Sequence, residues 1–271
     1  MSRSFHSLQL NQDGAVAQVI LTGPGRGNAM GPATWDELAP AFRALDDDDS
    51  VRAIIVRGSG DHFSYGLDLM AMMPVLGDKM MGTVLARKRV ELLRLIHKMQ
   101  GAAGAPAACR KPVIAAIDGW CIGGGLDLAA ACDIRICSAQ AQFSLREIKL
   151  AIVADLGSLQ RLPAIIGQGH TRQLAFTGEN IDAQRALQIG LVNDVYDDAE
   201  TLYQAAADLA DRIAKNSPIT AMGAKEVLNY SQGRSVEDGL QHVAMWNSAF
   251  LQSTDLAEAT AAFMERREPS F

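Results

Sequence analysis

The sequence predicts an α/β fold that ends in a purely helical stretch, and three observations carry that prediction. Short β-branched or alternating runs interleave with helix-period segments through roughly the first two-thirds of the chain. From about Asp198 onward the texture changes to Ala-rich helical sequence. The 271 residues are 48% apolar and 21% charged, with a mean hydropathy of +0.04, the balance of a chain with a large buried core. This composition excludes a disordered chain, a collagen-like repeat and a disulfide-stapled miniprotein.

Taken in order, Leu8 to Leu10 and Val16 to Leu21 read as strands. Pro32 to Leu45 is a predicted helix, opening on a proline whose fixed φ suits a first turn. Asp46 to Asp49 reads as a solvated connection, and Val51 to Val56 as the next buried strand. Thr83 to Met99 repeats Leu85, Leu92, Leu93 and Ile96 at helical spacing, and Val113 to Ile117 is another strand. Helices follow at Asp198 to Lys215, Ile219 to Tyr230, Val236 to Leu251 and Leu256 to Arg266, with breaks near Ser217-Pro218 and Gly233. Trp246, Phe250, Leu251 and Phe263 give these helices more apolar surface than one short layer covers, so they are expected to pack on the core or on another subunit. The expected division is residues 1–197 as the α/β core and 198–271 as a helical module.

The formal charge of −6 disfavours nucleic acid and anionic lipid as partners, while leaving room for a local basic pocket. Cys109, Cys121, Cys132 and Cys137 form no Cys-x-x-Cys pair, and the five histidines are too dispersed to suggest a metal cluster. No stretch has the 18 uninterrupted apolar residues of a membrane span, and neither end reads as a targeting signal. With the cysteines read as reduced thiols, the expected location is cytoplasmic.

Chemistry is suggested by two glycine corners that each follow a strand. Asp118 to Asp133 runs through Gly123-Gly124-Gly125 into an Ala-rich helix. Three glycines in a row mark a place where a Cβ would block close approach, of a ligand or of a packed element. The helix start that follows offers free N–H groups to an anion or to an oxygen that becomes one. The triplet is neither a P-loop nor a dinucleotide turn. Gly58 to Leu69 is the second corner, and two such corners can present two amides to one carbonyl oxygen.

Gly25 to Met30, Phe63 to Leu69, Gly119 to Asp133, and Phe143 to Glu147 with Gly157 to Pro163 resemble, in this order, the enoyl-CoA hydratase/isomerase (crotonase) family. The resemblance spans roughly Leu8 to Phe263. It implies a crotonase-like spiral of ββα units, with C-terminal helices that mediate assembly as a homo-trimer or a dimer of trimers. It also implies an acyl-CoA substrate and neither a cofactor nor a metal. At the matching positions, the amides that hold the thioester oxygen belong to Leu67, just after Gly66, and to Gly124, beside Gly123. CoA is expected along Arg26, Asn28 and Ala29 and along Ser64, Tyr65, Gly66, Leu67, Asp68 and Leu69, although Arg26 equally reads as a surface arginine. Met70, Met72, Met73, Met80 and Met81 border the expected acyl chain, or simply fill the core. The physical sense of paired amides is general: proton loss beside a thioester makes an enolate, and preorganised donors act where that charge grows.

Three carboxylates distinguish reactions within the family: Asp127, Glu147 and Asp155. This trio is similar to the Δ3,5-Δ2,4-dienoyl-CoA isomerase branch. There the resemblance implies that Glu147 takes a proton from C2, Asp155 delivers one to C6 and Asp127 tunes Glu147. A long-range proton shift needs a base and an acid at opposite ends of the conjugated system. Apolar Ile152, Val153, Ala154 and Leu156 would keep Asp155 protonated by desolvation. Each acid also has a plain structural reading: Asp155 as a helix N-cap, Asp127 as a first-turn charge, Glu147 as an exposed turn residue. Two rival functions stand beside the isomerase. One is a hydratase in which Asp127 and Glu147 hold a water, and the other a non-catalytic member that binds acyl-CoA or scaffolds a partner.

Overall fold

Alternation at the N-terminus becomes a hairpin of β1 (Leu8–Asp13) and β2 (Val16–Leu21), turned by Gly14 at φ +54°. The computed structural model describes residues 5–80 and 85–271. The expected helix start at Thr83 lies outside the described residues. α1 (Pro32–Asp46) leads to β3 (Ala53–Gly58), which pairs parallel with β2. α2 (Leu69–Met80), α3 (Ala86–Ala103) and the short α4 (Ala105–Ala108) precede β4 (Val113–Ile117). β5 (Trp120–Ile122) runs into α5 (Gly124–Ala130). β6 (Ile134–Ser138) and β7 (Gln142–Ser144) are followed by a 3-10 turn (Glu147–Leu150) and α6 (Ser158–Thr177). β8 (Ile181–Asp182), α7 (Ala183–Gln188) and β9 (Asp194–Tyr196) close the spiral.

The strands go to two sheets. The larger has the order β1-β2-β3-β4-β6-β9 and is parallel beyond the first hairpin. The smaller has the order β5-β7-β8, extended by a single bridge from Ser64 to Cys121. Successive turns of the chain therefore add to both sheets, and equivalent corners stack on one another.

The larger sheet is covered on both faces, which is why its strands read as apolar runs. Val19, Leu21, Ile54, Val56, Ala115 and Ile117 face one core, with Leu38, Phe42 and Leu126 among their partners. Ala53, Ile55, Ile114, Ala116 and Ile136 face the other, against Leu202, Ala206, Ala210 and Ala214 of α8 (Ala199–Ala214). Small residues at i, i+4 let α8 lie close on the sheet. α8, grouped by sequence texture with the C-terminal module, is thus the second cover of the sheet.

Three further helices complete the chain: α9 (Pro218–Ser231), α10 (Val236–Phe250) and α11 (Thr254–Glu265). Ser217, Ser235 and Ser253 cap them, each accepting a main-chain N–H in the first turn. α9 is fixed to the core through the buried Lys225, whose Nζ reaches Asp133 Oδ2 at 2.7 Å, Pro106 O at 2.8 Å and Lys111 O at 2.9 Å. None of the described helices is long and apolar enough to cross a membrane.

Candidate active site

Three corners of the spiral meet at one place. Ser64 N donates to Trp120 O at 2.9 Å and Ile122 N donates to Ser64 O at 3.0 Å, tying the segment after β3 to β5. Gly123 N donates to Ser144 O at 3.0 Å, tying the end of β5 to β7. The segments Phe63–Leu69, Gly119–Asp133 and Phe143–Glu147 are thereby brought side by side.

Met30 brackets Leu67 as a parallel bridge: Met30 N donates to Gly66 O at 2.7 Å, and Asp68 N donates to Met30 O at 3.0 Å. In that pattern the Leu67 N–H points away from Met30. Among the described residues, neither it nor the Gly124 N–H, at the start of α5, donates a hydrogen bond. Gly66 adopts φ +77°, and a Cβ there would stand 2.5 Å from Ile122 O and 3.0 Å from Gly124 N. Only glycine lets the two corners approach this closely. The glycine triplet answers to three different neighbours. A Cβ would meet Glu147 Oε1 at 3.0 Å from Gly123, Trp35 Cη2 at 3.2 Å from Gly124, and Ser64 O at 2.9 Å from Gly125. Close packing and site building are one requirement here.

The acids converge on this point. Asp127 is fully buried on α5, and its Oδ1 accepts the Ser158 N–H at 2.6 Å. Burial pushes its carboxyl up to about 6, with the Ser158 hydrogen bonds pulling down and the Asp155 charge pushing up. Glu147 opens the 3-10 turn after β7, and burial, with the charges of Asp127 and Asp155 adding, pushes it up to about 7. Asp127 Oδ2 and Glu147 Oε2 are both buried with no hydrogen-bond partner among the described residues. Asp155 sits in the turn before α6, half-buried, and burial raises its pKa. Of its apolar neighbours, Ala154 and Leu156 are buried whereas Val153 is exposed. Asp155 does not cap α6: the N-cap is Gly157, and the side chain that accepts the helix's first amide is Asp127.

The expected CoA contacts divide. Arg26 is exposed and Ala29 half-buried on the loop before α1. Asn28 is buried and turned inward, donating Nδ2 to His62 O at 2.7 Å and Ser59 O at 2.9 Å and accepting from Ser59 Oγ at 2.8 Å. Its side chain is a bracket between two loops, so any contact with CoA falls to its main chain. Ser64 is likewise buried, its Oγ donating to Asn28 O at 2.9 Å and accepting the Gly66 N–H at 3.0 Å. Tyr65 packs on Gly27 and pairs its hydroxyl with His62 Nε2 at 3.2 Å. Asp68 accepts the Ala71 N–H at 2.9 Å in the first turn of α2, and Leu69 is exposed. Of the methionines, Met72 is core, Met70 and Met73 are exposed on α2, and Met81 lies outside the described residues.

Four contributors escape a reading of the sequence. Ser158 holds Asp127, and Gln100 of α3 donates Nε2 to Asp155 O at 2.7 Å. Trp35 backs Gly124 and donates Nε1 to Met30 O at 3.1 Å. Arg161 lies against Gly157 and Gly104, where its charge bears on Asp127. Ser158 and Arg161 fall inside Gly157–Pro163, so the motif marks them, but nothing in it says which way they face.

The family model described as enoyl-CoA hydratase/isomerase matches residues 11–271. The chain belongs to the enoyl-CoA hydratase/isomerase family. Relatives in this family include a Δ3,5-Δ2,4-dienoyl-CoA isomerase of Arabidopsis thaliana, 42% identical over 99% of this chain and 97% of the relative. One of the same name from Dictyostelium discoideum is 40% identical over 97% of this chain and 90% of the relative. Among solved structures, an enoyl-CoA hydratase of Bacillus anthracis superposes with a TM-score of 0.88 at 29% identity, covering 98% of this chain and 99% of that one. The crotonase-like spiral predicted from the motifs is therefore the fold of the chain. One expectation is corrected by the same comparison. The Dictyostelium relative is named mitochondrial and the Arabidopsis relative peroxisomal, against the cytoplasmic reading of the thiols. All four cysteines are buried and unpaired, a state that any reducing compartment permits, so they do not discriminate between compartments.

Proposed function

We propose that this chain is an acyl-CoA isomerase that converts 3,5-dienoyl-CoA to 2,4-dienoyl-CoA. The observation that carries the reading is the convergence of Glu147 and Asp155, from different elements, beside two amides with no internal acceptor. In this reading the Leu67 and Gly124 amides hold the thioester oxygen and stabilise the enolate. Glu147, poised near 7, takes a proton from C2. The C2–C3 and C4–C5 bonds become double as the electron pairs move along the chain, and Asp155, whose pKa burial raises, delivers a proton to C6. Asp127, anchored on Ser158, stays close and sets the charge that Glu147 feels. The names of the relatives at 42% and 40% identity support the same substrate class.

A second reading is favoured by one observation: the unpartnered oxygens of Asp127 and Glu147 could together hold a water for hydration of a 2-enoyl-CoA. Two spectrophotometric assays separate the readings. With 3,5-dienoyl-CoA, the wild type is expected to form the conjugated product, and Asp155→Asn to lose ~10²-fold or more of the rate. With crotonyl-CoA, rapid loss of the enoyl absorbance, without turnover of the dienoyl substrate, would replace isomerisation by hydration.

The exposed apolar residues of the last helices, including Leu228 at 69% and Phe263 at 85%, support assembly into homo-trimers through this region. Sedimentation or light scattering measures the stoichiometry, and a monomer would remove that part of the proposal.

A further inference from the structure

Two of the three acids are set by regular elements and the third is not. Asp127 stands on α5 and accepts the first amide of α6. Glu147 opens the 3-10 turn, and its main-chain O accepts the Ile152 N–H at 3.1 Å. Asp155 lies in a stretch, residues 152–155, that belongs to neither helix nor strand. Its neighbours Ala154 and Leu156 are buried, and apolar contacts of that kind hold a segment in place without fixing its direction.

The direction comes from α3. Gln100, exposed on the last turn of that helix, donates Nε2 to Asp155 O at 2.7 Å. Among the described residues, this is the one hydrogen bond that the main chain of residues 153–156 makes with another element. The peptide unit is planar, so holding the Asp155 carbonyl holds ψ at Asp155 and with it the direction in which Cβ leaves the chain. The end of α3 touches this region a second time. Gly104 N donates to Gln100 O at 2.8 Å, and a Cβ on Gly104 would stand 3.2 Å from Arg161 Nη2. Arg161 also packs on Gly157, which ends the acid-bearing turn at φ +128°. A seam between α3 and the start of α6 thus runs past Asp155, from Gln100 to Arg161.

We propose that Gln100 is a positioning residue for the acid of the reaction: from α3 it holds the Asp155 main chain so that the carboxyl is aimed at C6. The proposal rests on the isomerase reading, in which Asp155 supplies the C6 proton. In that reading Glu147 and the Leu67 and Gly124 amides form the enolate without help from α3. Gln100 governs the step that follows, in which the enolate either takes the Asp155 proton at C6 or takes back its own at C2. Misplacing a reacting group by ~1 Å can cost on the order of 10²-fold in rate. Loss of one hydrogen bond that aims the group is expected to cost about 10-fold.

The test compares wild type with Gln100→Met, which keeps the length of the side chain and has no N–H, on 3,5-dienoyl-CoA with hydrogen or deuterium at C2. In Gln100→Met, kcat is expected to fall about 10-fold with KM little changed. The isotope effect of C2 deuterium on that slowed reaction is expected to lie close to unity, because return to C2 outruns delivery to C6 and proton removal no longer limits the rate. A general loosening of the site would instead slow proton removal, and a slowed variant with a C2 isotope effect above about 2 overturns the proposal. A wild-type rate in Gln100→Met overturns it as well. In the Asp155→Asn background, adding Gln100→Met is expected to cost less than about 2-fold more, since the acid that Gln100 aims is gone. A second loss as large as that in the wild-type background overturns the proposal.

A readout independent of turnover is amide hydrogen exchange of residues 152–157, followed by mass spectrometry. Exchange there is expected to quicken about 5-fold or more in Gln100→Met while the amides of α5 stay as slow as in wild type. Unchanged exchange in residues 152–157 overturns the proposal. A wild type that leaves 3,5-dienoyl-CoA unconverted counts against the isomerase reading, and the exchange comparison then decides by itself whether Gln100 holds the Asp155 turn.

Discussion

Glu147 shows how one side chain couples stability to chemistry. Its ordinary value is 4.5, and in the folded chain burial and the Asp127 and Asp155 charges lift it to about 7. Between those two pH values the folded state holds a proton that the unfolded state has released, so stability falls as pH rises through that window. Glu147→Gln removes the buried charge. It is expected to melt higher than wild type above pH 7, by on the order of 1–3 kcal/mol, with the difference vanishing below about pH 4.5. Calorimetry over that range measures it, and a constant difference at every pH would contradict the assignment. With Glu147 as the proposed base, the rate of the wild type should fall as pH drops through the same window, because Glu147 then takes up a proton. Asn28 makes a different point at this scale. It holds φ +54°, its side chain ties Ser59 and His62 together, and its main-chain carbonyl accepts the Ser64 hydroxyl. Asn28→Ala leaves the Ser59 and His62 groups without their side-chain partner and is expected to cost about 2–4 kcal/mol in urea unfolding.

At the scale of elements, the site is built by stacking equivalent corners, and glycines set the distance between them. Gly66→Ala places a Cβ against Ile122 O and Gly124 N, whereas Gly124→Ala meets only the edge of Trp35. The first substitution is therefore expected to cost ~10² to 10³ in kcat through loss of a donor, and the second less than about 10-fold. Steady-state kinetics on folded variants ranks them, and the reverse order would break the argument. The motif Phe63–Leu69 and the glycine triplet were legible because glycine is informative wherever backbones meet. Their contact was not, since it depends on Ser64 and Ile122 pairing across the intervening α2, α3 and β4. Strands of two or three residues such as β8 and β9 have too few positions to show a period, and nothing short of the assembled sheet identifies them.

At the scale of the whole molecule, Lys225 decides how the last helices sit on the spiral. It is a buried cation with three oxygen partners drawn from Pro106, Lys111 and Asp133. Lys225→Met strands the Asp133 charge and two carbonyls and is expected to cost about 3–5 kcal/mol, measured by urea unfolding. A change below about 1 kcal/mol would mean that α9 is held by its apolar contacts instead.

The chain's own pattern determined the fold class, the helices α1, α3, α5 and α8 to α11 and the first four strands, because burial imprints a period on local sequence, while α2 and α6 were not read from it. It also singled out the residues proposed to carry the chemistry, because carboxylates and glycine corners are chemically conspicuous. Only the tertiary structure decided which way those residues face. It turned Asn28 inward, made Asp127 rather than Asp155 the partner of the first amide of α6, and laid α8 on the sheet. Each of these choices is fixed by contacts between residues tens of positions apart, and a local pattern holds no record of such contacts.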